Sequence, residues 1–290
     1  MVLIHIKKGD ESQFLYETSK ETVVEGVLTS VVAIYNGRLK IQRICSELDE
    51  LAQHGTMFPP EILGLTEDQV TELKLVDHWG ETCVPSGGFT YVKDPLGRRN
   101  GKQPVKSMQN LIKNSATEAK GMISKSLVQQ DRTLTLKCVQ HALDILKGTV
   151  MMVYPMKLPP HDVIRMEFEN IEDLSGTQAS LDVIDPGKAQ LWFCGRELFR
   201  DKPVKEYTGD NEKCKVIMKL SHKGQGPPGR EPVMSEDERK QLMLHAYRKQ
   251  EELKKLANND DDSYLNSEWA DSGILKRSCQ GLRNISWRPK

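Results

Sequence analysis

The sequence predicts a mixed α+β fold, in which strand-forming and helix-forming segments occupy different parts of the chain. Short apolar runs near the N-terminus, and again between residues 149 and 220, indicate β-strands. Apolar residues at helical spacing fill the stretch between them and return near the C-terminus. We therefore expect four segments: a small α/β unit at 1–58, a helical region at 59–148, a second α/β module at 149–221, and a linker, helix and tail at 222–290.

Length and composition narrow the class of protein. A chain of 290 residues suggests about two domains, and a net charge of zero argues against a general polyanion binder. No apolar run approaches the about 18–20 residues that span a bilayer, and the start is charged too early for a signal peptide. The six cysteines form no CxxC pair and are expected to be free thiols. These features predict a cytoplasmic or nuclear protein that does not insert into membranes.

The N-terminal unit is expected to begin with a β-hairpin around a turn at residues 9–10. Residues 22–25 have the pattern of a capping box, which should start a helix, and the Asn-Gly pair at 36–37 should end it. A second helix is expected to end at Gly55. Strand, strand and helix in this order open a β-grasp or a similar small α/β unit.

The middle of the chain is expected to be helical, with one long interruption. A capping box at 66–69 predicts a helix that ends near Trp79. Seven glycines and prolines between 85 and 104 predict a long loop. Two amphipathic helices, at 105–127 and at 136–148, should follow.

The C-terminal segment begins with a Gly- and Pro-rich linker at 222–232, followed by a helix at 235–257. We expect the apolar stripe of this helix either to bind a partner or to pack on the protein's own core. The candidate binding residues of the stripe are Leu242, Leu253 and Leu256. The tail from about residue 258 is polar and then basic, so we expect poor order and limited proteolysis there first.

Strands are expected at 150–154, 163–169, 190–198 and 214–220. Within this stretch the residues resemble ubiquitin: Leu191, Phe193, Gly195 and Leu198 match its leucine, phenylalanine, glycine and leucine at the same spacing, and Val204 and Tyr207 match the leucine and tyrosine of its short turn. The resemblance implies a ubiquitin-like β-grasp module at 149–220. Ser175-Gly176 interrupts the helix expected at 172–184. The chain also continues past Leu220 without a free diglycine end, which excludes conjugation in the manner of ubiquitin.

Strand alternation predicts which side chains of this module face outward. If Leu191 and Phe193 point into the core, Trp192 must point to the other side of the sheet. Ile217 shares that outer side because its neighbours Val216 and Met218 point inward, and we include Lys215 as a third candidate protein-binding residue. The alternative is that helices at 105–147 or 235–257 cover this face.

Patterns that would indicate catalysis or metal binding are weak. The basic loop at 97–103 is one residue short of a phosphate-binding loop and lacks the serine or threonine that holds magnesium. Cys138 and His141 lie three residues apart on a helix, but no further ligand completes a zinc site. We therefore expect no enzyme activity, no cofactor and no metal.

The order of features also resembles the Kurly family of cilia- and flagella-associated proteins. The matching segments are the start at 1–6, the Gly-rich segment at 79–101, and 189–198 with the linker and helix that follow. The resemblance implies a non-catalytic scaffold or assembly factor for motile cilia, located in the cytoplasm, at the basal body and on the cytoskeleton. It further implies roles in outer dynein arm assembly and in cilium positioning through planar polarity. The partners that it implies are cytoplasmic dynein-arm assembly factors, among them a MYND-type zinc-finger protein.

Two alternatives remain open from the sequence. A ubiquitin-pathway adaptor would use the ubiquitin-like module to bind ubiquitin receptors. A microtubule- or nucleic-acid-binding protein would act through the basic tail, and its affinity would fall steeply with salt.

Overall fold

The computed structural model describes residues 1–65, 67–211, 213–230, 234, 236–257 and 273. The chain divides into two compact units, Met1–Glu231 and Pro232–Lys290. The predicted α+β class is confirmed. In the first unit the strands are β1 (Val2–Lys8), β2 (Glu11–Thr18), β3 (Phe89–Tyr91), β4 (Lys102–Pro104), β5 (Ala189–Phe193), β6 (Arg196–Glu197) and β7 (Lys215–His222). Its α-helices are α1 (Val24–His54), α2 (Glu67–Glu72), α3 (His78–Thr82), α4 (Lys106–Met122), α5 (Leu136–Val153), α6 (Val163–Glu169), α7 (Gln178–Asp182) and α8 (Lys205–Thr208), and the second unit contains α9 (Glu236–Ala257).

The main sheet has five strands in the order β2-β1-β7-β5-β6. The hairpin of β1 and β2 is antiparallel, as predicted around residues 9–10, with a register shift after Ile6. Strand β7 lies at the centre, parallel to β1 and antiparallel to β5. The first and third predicted segments of the chain therefore contribute strands to one sheet.

The predicted strands at 150–154 and 163–169 are wrong, because both segments are helical. The first continues α5 past Gly148 to Val153. The second is α6, whose first turn is capped by the side chain of Asp162, which accepts a hydrogen bond from the backbone N–H of Ile164 at 3.0 Å. The buried side chains of α6 are Ile164 and Glu167, three residues apart, which is a helical face and not an alternating one.

Helix α1 is continuous over 31 residues, so the predicted stop at 36–37 is wrong and the predicted end at Gly55 is confirmed. The Asn36 amide donates to the carbonyl oxygen of Ile184 at 2.7 Å and accepts from its N–H at 3.0 Å. A Cβ on Gly37 would lie 2.6 Å from Val139 Cγ1, so glycine allows α5 to approach α1 closely here. The N-cap residue of α1 is Val23, and no side chain accepts a hydrogen bond from its first turn. The predicted capping box at 22–25 is therefore wrong, although a helix does begin there.

One apolar core lies between α1 and the inner face of the sheet and continues to α4 and α5. The strands contribute Val2, Ile4, Ile6, Leu191, Met218 and Leu220, which are all almost fully buried. Helix α1 crosses this core and contributes buried residues along its whole length.

The other predictions for the middle of the chain, residues 59–148, are partly correct. The helix predicted from 66 to Trp79 is two short helices, α2 and α3. The predicted loop at 85–104 contains the two-stranded antiparallel sheet of β3 and β4. Helix α4 begins at Lys106, as the periodicity predicts, and ends at Met122.

A polar junction, defined here as Glu47, Arg99 and Asp162, fastens this middle region to α1. Asp162 is completely buried, and its carboxylate lies 3.8 Å from Arg99 Nη1. The same carboxylate accepts a hydrogen bond from the N–H of Met57 at 3.3 Å. Arg99 in turn donates to the Glu47 carboxylate at 2.6 Å and to the carbonyl oxygen of Gly55 at 2.8 Å. The charges of the junction thus join the end of α1 to two distant loops.

Candidate protein-binding face

The outer side of β5 and β7 carries the side chains that alternation predicts. In the register of the two strands, Leu191 lies opposite Leu220, and Trp192 lies opposite Lys219. Leu191 and Leu220 are buried against the core, whereas Trp192 is half-buried and Ile217 keeps 39% of its surface exposed. The predicted orientation of Trp192 and Ile217 is therefore confirmed, and we call this surface the outer face.

The Trp192 ring is fixed on the outer face by a hydrogen bond. Its Nε1–H donates to Ser221 Oγ at 2.9 Å, across from β5 to β7. A buried indole N–H without an acceptor would be unfavourable, so this contact holds the ring in one orientation. The apolar surface that a partner would meet is consequently formed before binding.

Lys219 connects the outer face to the segment at 227–230. This lysine is buried, and its Nζ donates to Asp10 Oδ1 at 3.1 Å and to the carbonyl oxygen of Gly229 at 2.8 Å. The segment closes one side of a groove of about 950 Å³. The groove is lined by Trp192, Phe193, Cys194, Gly195, Lys215, Val216, Ile217, Lys219, Pro227, Pro228, Gly229 and Arg230. These lining residues come from the sheet and the 227–230 segment and include none from α4 or α5.

Lys215 lies at the rim of the groove and forms an ion pair. Its Nζ is 2.7 Å from Asp131 Oδ1, in the connection before α5. Both side chains are substantially exposed, so the pair contributes at most about 1 kcal/mol to stability. Lys215 can therefore exchange Asp131 for an acidic group of a partner at little energetic cost.

The core positions expected from strand alternation and from the ubiquitin resemblance are mostly buried. Leu191, Leu198, Val204, Val216 and Met218 are buried, whereas Phe193 is only half-buried and packs at the edge of the core. The Tyr207 hydroxyl accepts a hydrogen bond from the backbone N–H of Phe199 at 2.9 Å, as expected for a tyrosine that is tied to nearby backbone.

The remaining candidate binding residues belong to the second unit. Leu242 and Leu253 lie on α9 and are exposed. Leu256 lies in the last turn of α9, but its side chain is outside the described residues, as are the predicted polar tail and its tryptophans. Their binding role stays a prediction.

The sequence did not indicate several contributors to the groove, among them Lys219 and the 227–230 segment, which was predicted only to be a linker. Alternation along β7 places Lys219 on the same side as Ile217, which is a signal in the sequence. The contact with Gly229 has no such signal, because it depends on the chain folding back over the sheet.

In the loop at 97–103, which resembles a phosphate-binding loop, backbone N–H groups already bind a carboxylate of the protein itself. The Asp94 carboxylate accepts hydrogen bonds from the backbone N–H groups of Leu96, Arg98 and Arg99 at 2.8–2.9 Å. Lys102 donates to the carbonyl oxygen of Gly80 at 2.7 Å. The donors that a phosphate would need are thus used within the protein.

Within the described ranges, no group of three or more His, Cys, Asp or Glu side chains is placed to hold a metal ion. Among the helices of the described part, none combines the length and apolar character required to cross a bilayer.

Comparison with known proteins gives matches along the whole chain. The family model described as Cilia- and flagella-associated protein 298 matches residues 189–285. The Drosophila melanogaster protein of that name is 56% identical over 288 residues, which cover 99% of each chain. The Homo sapiens and Danio rerio proteins are 55% and 54% identical over 290 residues and the full length of each chain.

No solved structure matches this chain, so the ubiquitin resemblance stays a prediction from sequence. The expected membership of a cilia- and flagella-associated family is confirmed by identities above half over nearly every residue. The chain belongs to the Cilia- and flagella-associated protein 298 family.

Proposed function

We propose that this protein is a non-catalytic scaffold or assembly factor for motile cilia. It acts in outer dynein arm assembly and in cilium positioning through planar polarity, from the cytoplasm and the basal body. The names of full-length relatives in fly, fish and human associate them with cilia and flagella, which supports the ciliary part of the proposal. No catalytic family is among these matches.

The main support for the scaffold role is the outer face and the groove beside it. Trp192 and Ile217 present apolar surface beside a cavity large enough for several side chains. Tryptophan is a frequent anchor of binding energy, and a held ring loses little further freedom on binding. A dynein-arm assembly factor, such as a MYND-type zinc-finger protein, would insert apolar side chains here.

Charge gives the face a preference among partners. Among the residues that the structure describes, Lys215 at the rim forms an ion pair only with the exposed Asp131, and the groove also carries Arg230. An acidic flank on the partner would meet these two cations as its apolar residues cover Trp192. Like-charged partners are disfavoured at the same place.

The test replaces the endogenous protein in multiciliated cells with Trp192→Glu/Ile217→Glu. We expect loss of coprecipitation with a MYND-type zinc-finger assembly protein and loss of outer dynein arms in electron micrographs. The matched control is Phe199→Glu, which changes an exposed aromatic residue that does not line the groove. The purified variants must melt within a few degrees of the unchanged protein.

Normal dynein arms in cells that carry the folded double variant would contradict the proposal. Capture of ubiquitin receptors by the unchanged protein, lost in the double variant, would instead favour the ubiquitin-pathway adaptor.

A further inference from the structure

A second groove lies between the last turns of α5 and helix α6, outside the outer face. It is a cavity of about 240 Å³ whose floor is the buried ring of Tyr154. We call it the methionine groove and define it by its lining residues: Lys147, Val150, Met151, Tyr154, Lys157, Leu158, Arg165, Phe168 and Glu169. Apolar side chains therefore form its interior, and charged ones form its rim.

The walls of the methionine groove are fixed. Arg165 Nη1 donates to the carbonyl oxygen of Leu158 at 2.9 Å, and Nε donates to Glu169 Oε1 at 2.9 Å. The first bond ties α6 to the turn that follows α5, and the second holds the Arg165 side chain along α6. A cavity with walls held in this way needs little rearrangement to accept a side chain.

The chain segment that lines one side of the groove carries exposed methionines. Met151, which lines the groove, is 54% exposed, and Met152 and Met156 of the same segment are 62% and 66% exposed. Scattered exposed apolar residues are ordinary, but three unbranched and polarisable side chains within six residues form an adaptable apolar surface. Such surfaces suit the apolar side of a partner helix, which can be accommodated without an exact fit.

The rim carries uncompensated positive charge. Arg165 is paired with Glu169, whereas Lys147 and Lys157 are exposed and form no ion pair with any residue that the structure describes. The groove therefore has two cations available beside an apolar cavity. Its electrostatic complement is a segment with carboxylates flanking an apolar side chain.

We propose that the methionine groove binds an acidic amphipathic helix of a partner protein. One large apolar side chain of that helix enters the cavity, its neighbours cover Met151, and its carboxylates meet Lys147 and Lys157. The cavity lies below the about 300–1,000 Å³ typical of small-molecule sites, which favours a single anchoring side chain. The two grooves share no lining residue, so this surface is separate from the outer face.

The experiment uses the full chain and two synthetic helical peptides of about five turns. Both peptides carry a leucine stripe, which is flanked by glutamates in one and by lysines in the other. Fluorescence anisotropy of the labelled peptides should show saturable binding of the acidic peptide and at least about tenfold weaker binding of the basic one.

Charge reversal then tests the rim. Lys147→Glu/Lys157→Glu should weaken the binding of the acidic peptide about tenfold. The preference between the peptides should invert, so that the basic peptide binds more tightly than the acidic one. The matched control is Lys106→Glu/Lys113→Glu, two exposed lysines of α4 that do not line the groove, and it should leave the preference unchanged. Met151→Gln, which removes the apolar side chain without adding charge, should weaken the binding of both peptides. All substituted positions are exposed, so the melting temperature should stay within a few degrees.

Methionine-methyl NMR locates the peptide on the full chain. The Met151 signal should shift on titration, and the signal of buried Met218 should not. The proposal is overturned by any of four results: no saturable binding, equal affinity for the two peptides, an unchanged preference after charge reversal, or no shift at Met151.

Discussion

The sheet core and the polar junction join distant parts of this chain by different physical means. The core joins β1, β5 and β7 through apolar side chains that alternation places on one side. The junction joins α1, the 94–100 loop and the start of α6 through Glu47, Arg99 and Asp162. The stabilisation of the core is spread over many weak dispersion contacts, whereas the junction depends on a few charged atoms in fixed positions.

The contrast also predicts how each region responds to damage and to pH. Removing one side chain from the core leaves a cavity. Removing one ion from the junction leaves an opposite charge buried without its counterion. The junction and the adjoining 94–100 loop contain carboxylates, whereas the apolar core contains none.

The largest effect is expected at Arg99. Arg99→Ala should lower the free energy of unfolding by about 3–5 kcal/mol, because Asp162 would remain buried without a cation. Burial already raises the pKa of Asp162, and Arg99 opposes that rise. Urea unfolding at neutral pH measures the loss. Arg98→Ala is the control, since Arg98 is more exposed and lies 3.5 Å from Glu47. Equal losses in the two variants would show that burial of the pair is not decisive.

A smaller effect is expected in the core. Leu191→Ala should lower the free energy of unfolding by about 2–5 kcal/mol through lost burial and a cavity. Ile217→Ala on the outer face should lower it by less than about 1.5 kcal/mol, because Ile217 is already partly in water. The loss of unfolding free energy in Phe193→Ala should lie between those of Leu191→Ala and Ile217→Ala, because the Phe193 ring is half-buried. If Ile217→Ala destabilised as much as Leu191→Ala, the assignment of the two faces would be wrong.

A smaller effect than at Arg99 or Leu191 is expected at Asp94, and it should depend on pH. Burial acts to raise the pKa of Asp94, but the N–H groups of Leu96, Arg98 and Arg99 lower it below the ordinary 3.8. Because the folded-state pKa is depressed, the stabilisation is present above 3.8 and is lost as the pH falls through the folded-state value. Asp94→Asn should therefore cost about 1–2 kcal/mol at neutral pH.

The Asp94→Asn difference should narrow below about pH 4, whereas the Leu191→Ala difference should not follow this titration. Urea unfolding of both variants and the unchanged protein between neutral pH and pH 3 provides the comparison. A difference at Asp94 that is independent of pH would mean that its carboxylate does not hold the loop.

Sequence patterns predicted the outer face well, because strand alternation is local. The spacing of Leu191, Phe193 and Leu198 predicted which side chains face the core. The inward neighbours of Ile217 predicted that Ile217 faces outward. The polar junction had no such pattern. Arg99 lies 63 positions before Asp162 in the sequence, and no periodicity relates a buried arginine to an aspartate at that separation.

Short-range signals failed where long-range packing decided the structure. Residues 163–169 alternate in polarity over only seven positions, which fits a strand or a helix, and the Asp162 cap together with burial of Ile164 and Glu167 selects the helix. The Asn-Gly pair at 36–37 has the composition of a helix end. Contacts with Ile184 and Val139 use both residues inside α1 instead.

The sequence by itself determined the α+β class, the N-terminal hairpin, the end of α1 at Gly55, and the outward direction of Trp192 and Ile217. These features depend on backbone preferences and side-chain periods within a few residues. Only the tertiary structure decided that β7 inserts beside β1, that 227–230 borders the groove, and that charges join α1 to α6. Each of these brings together segments separated by tens to hundreds of positions, and the free energy of such pairing is set by the contacts formed in space.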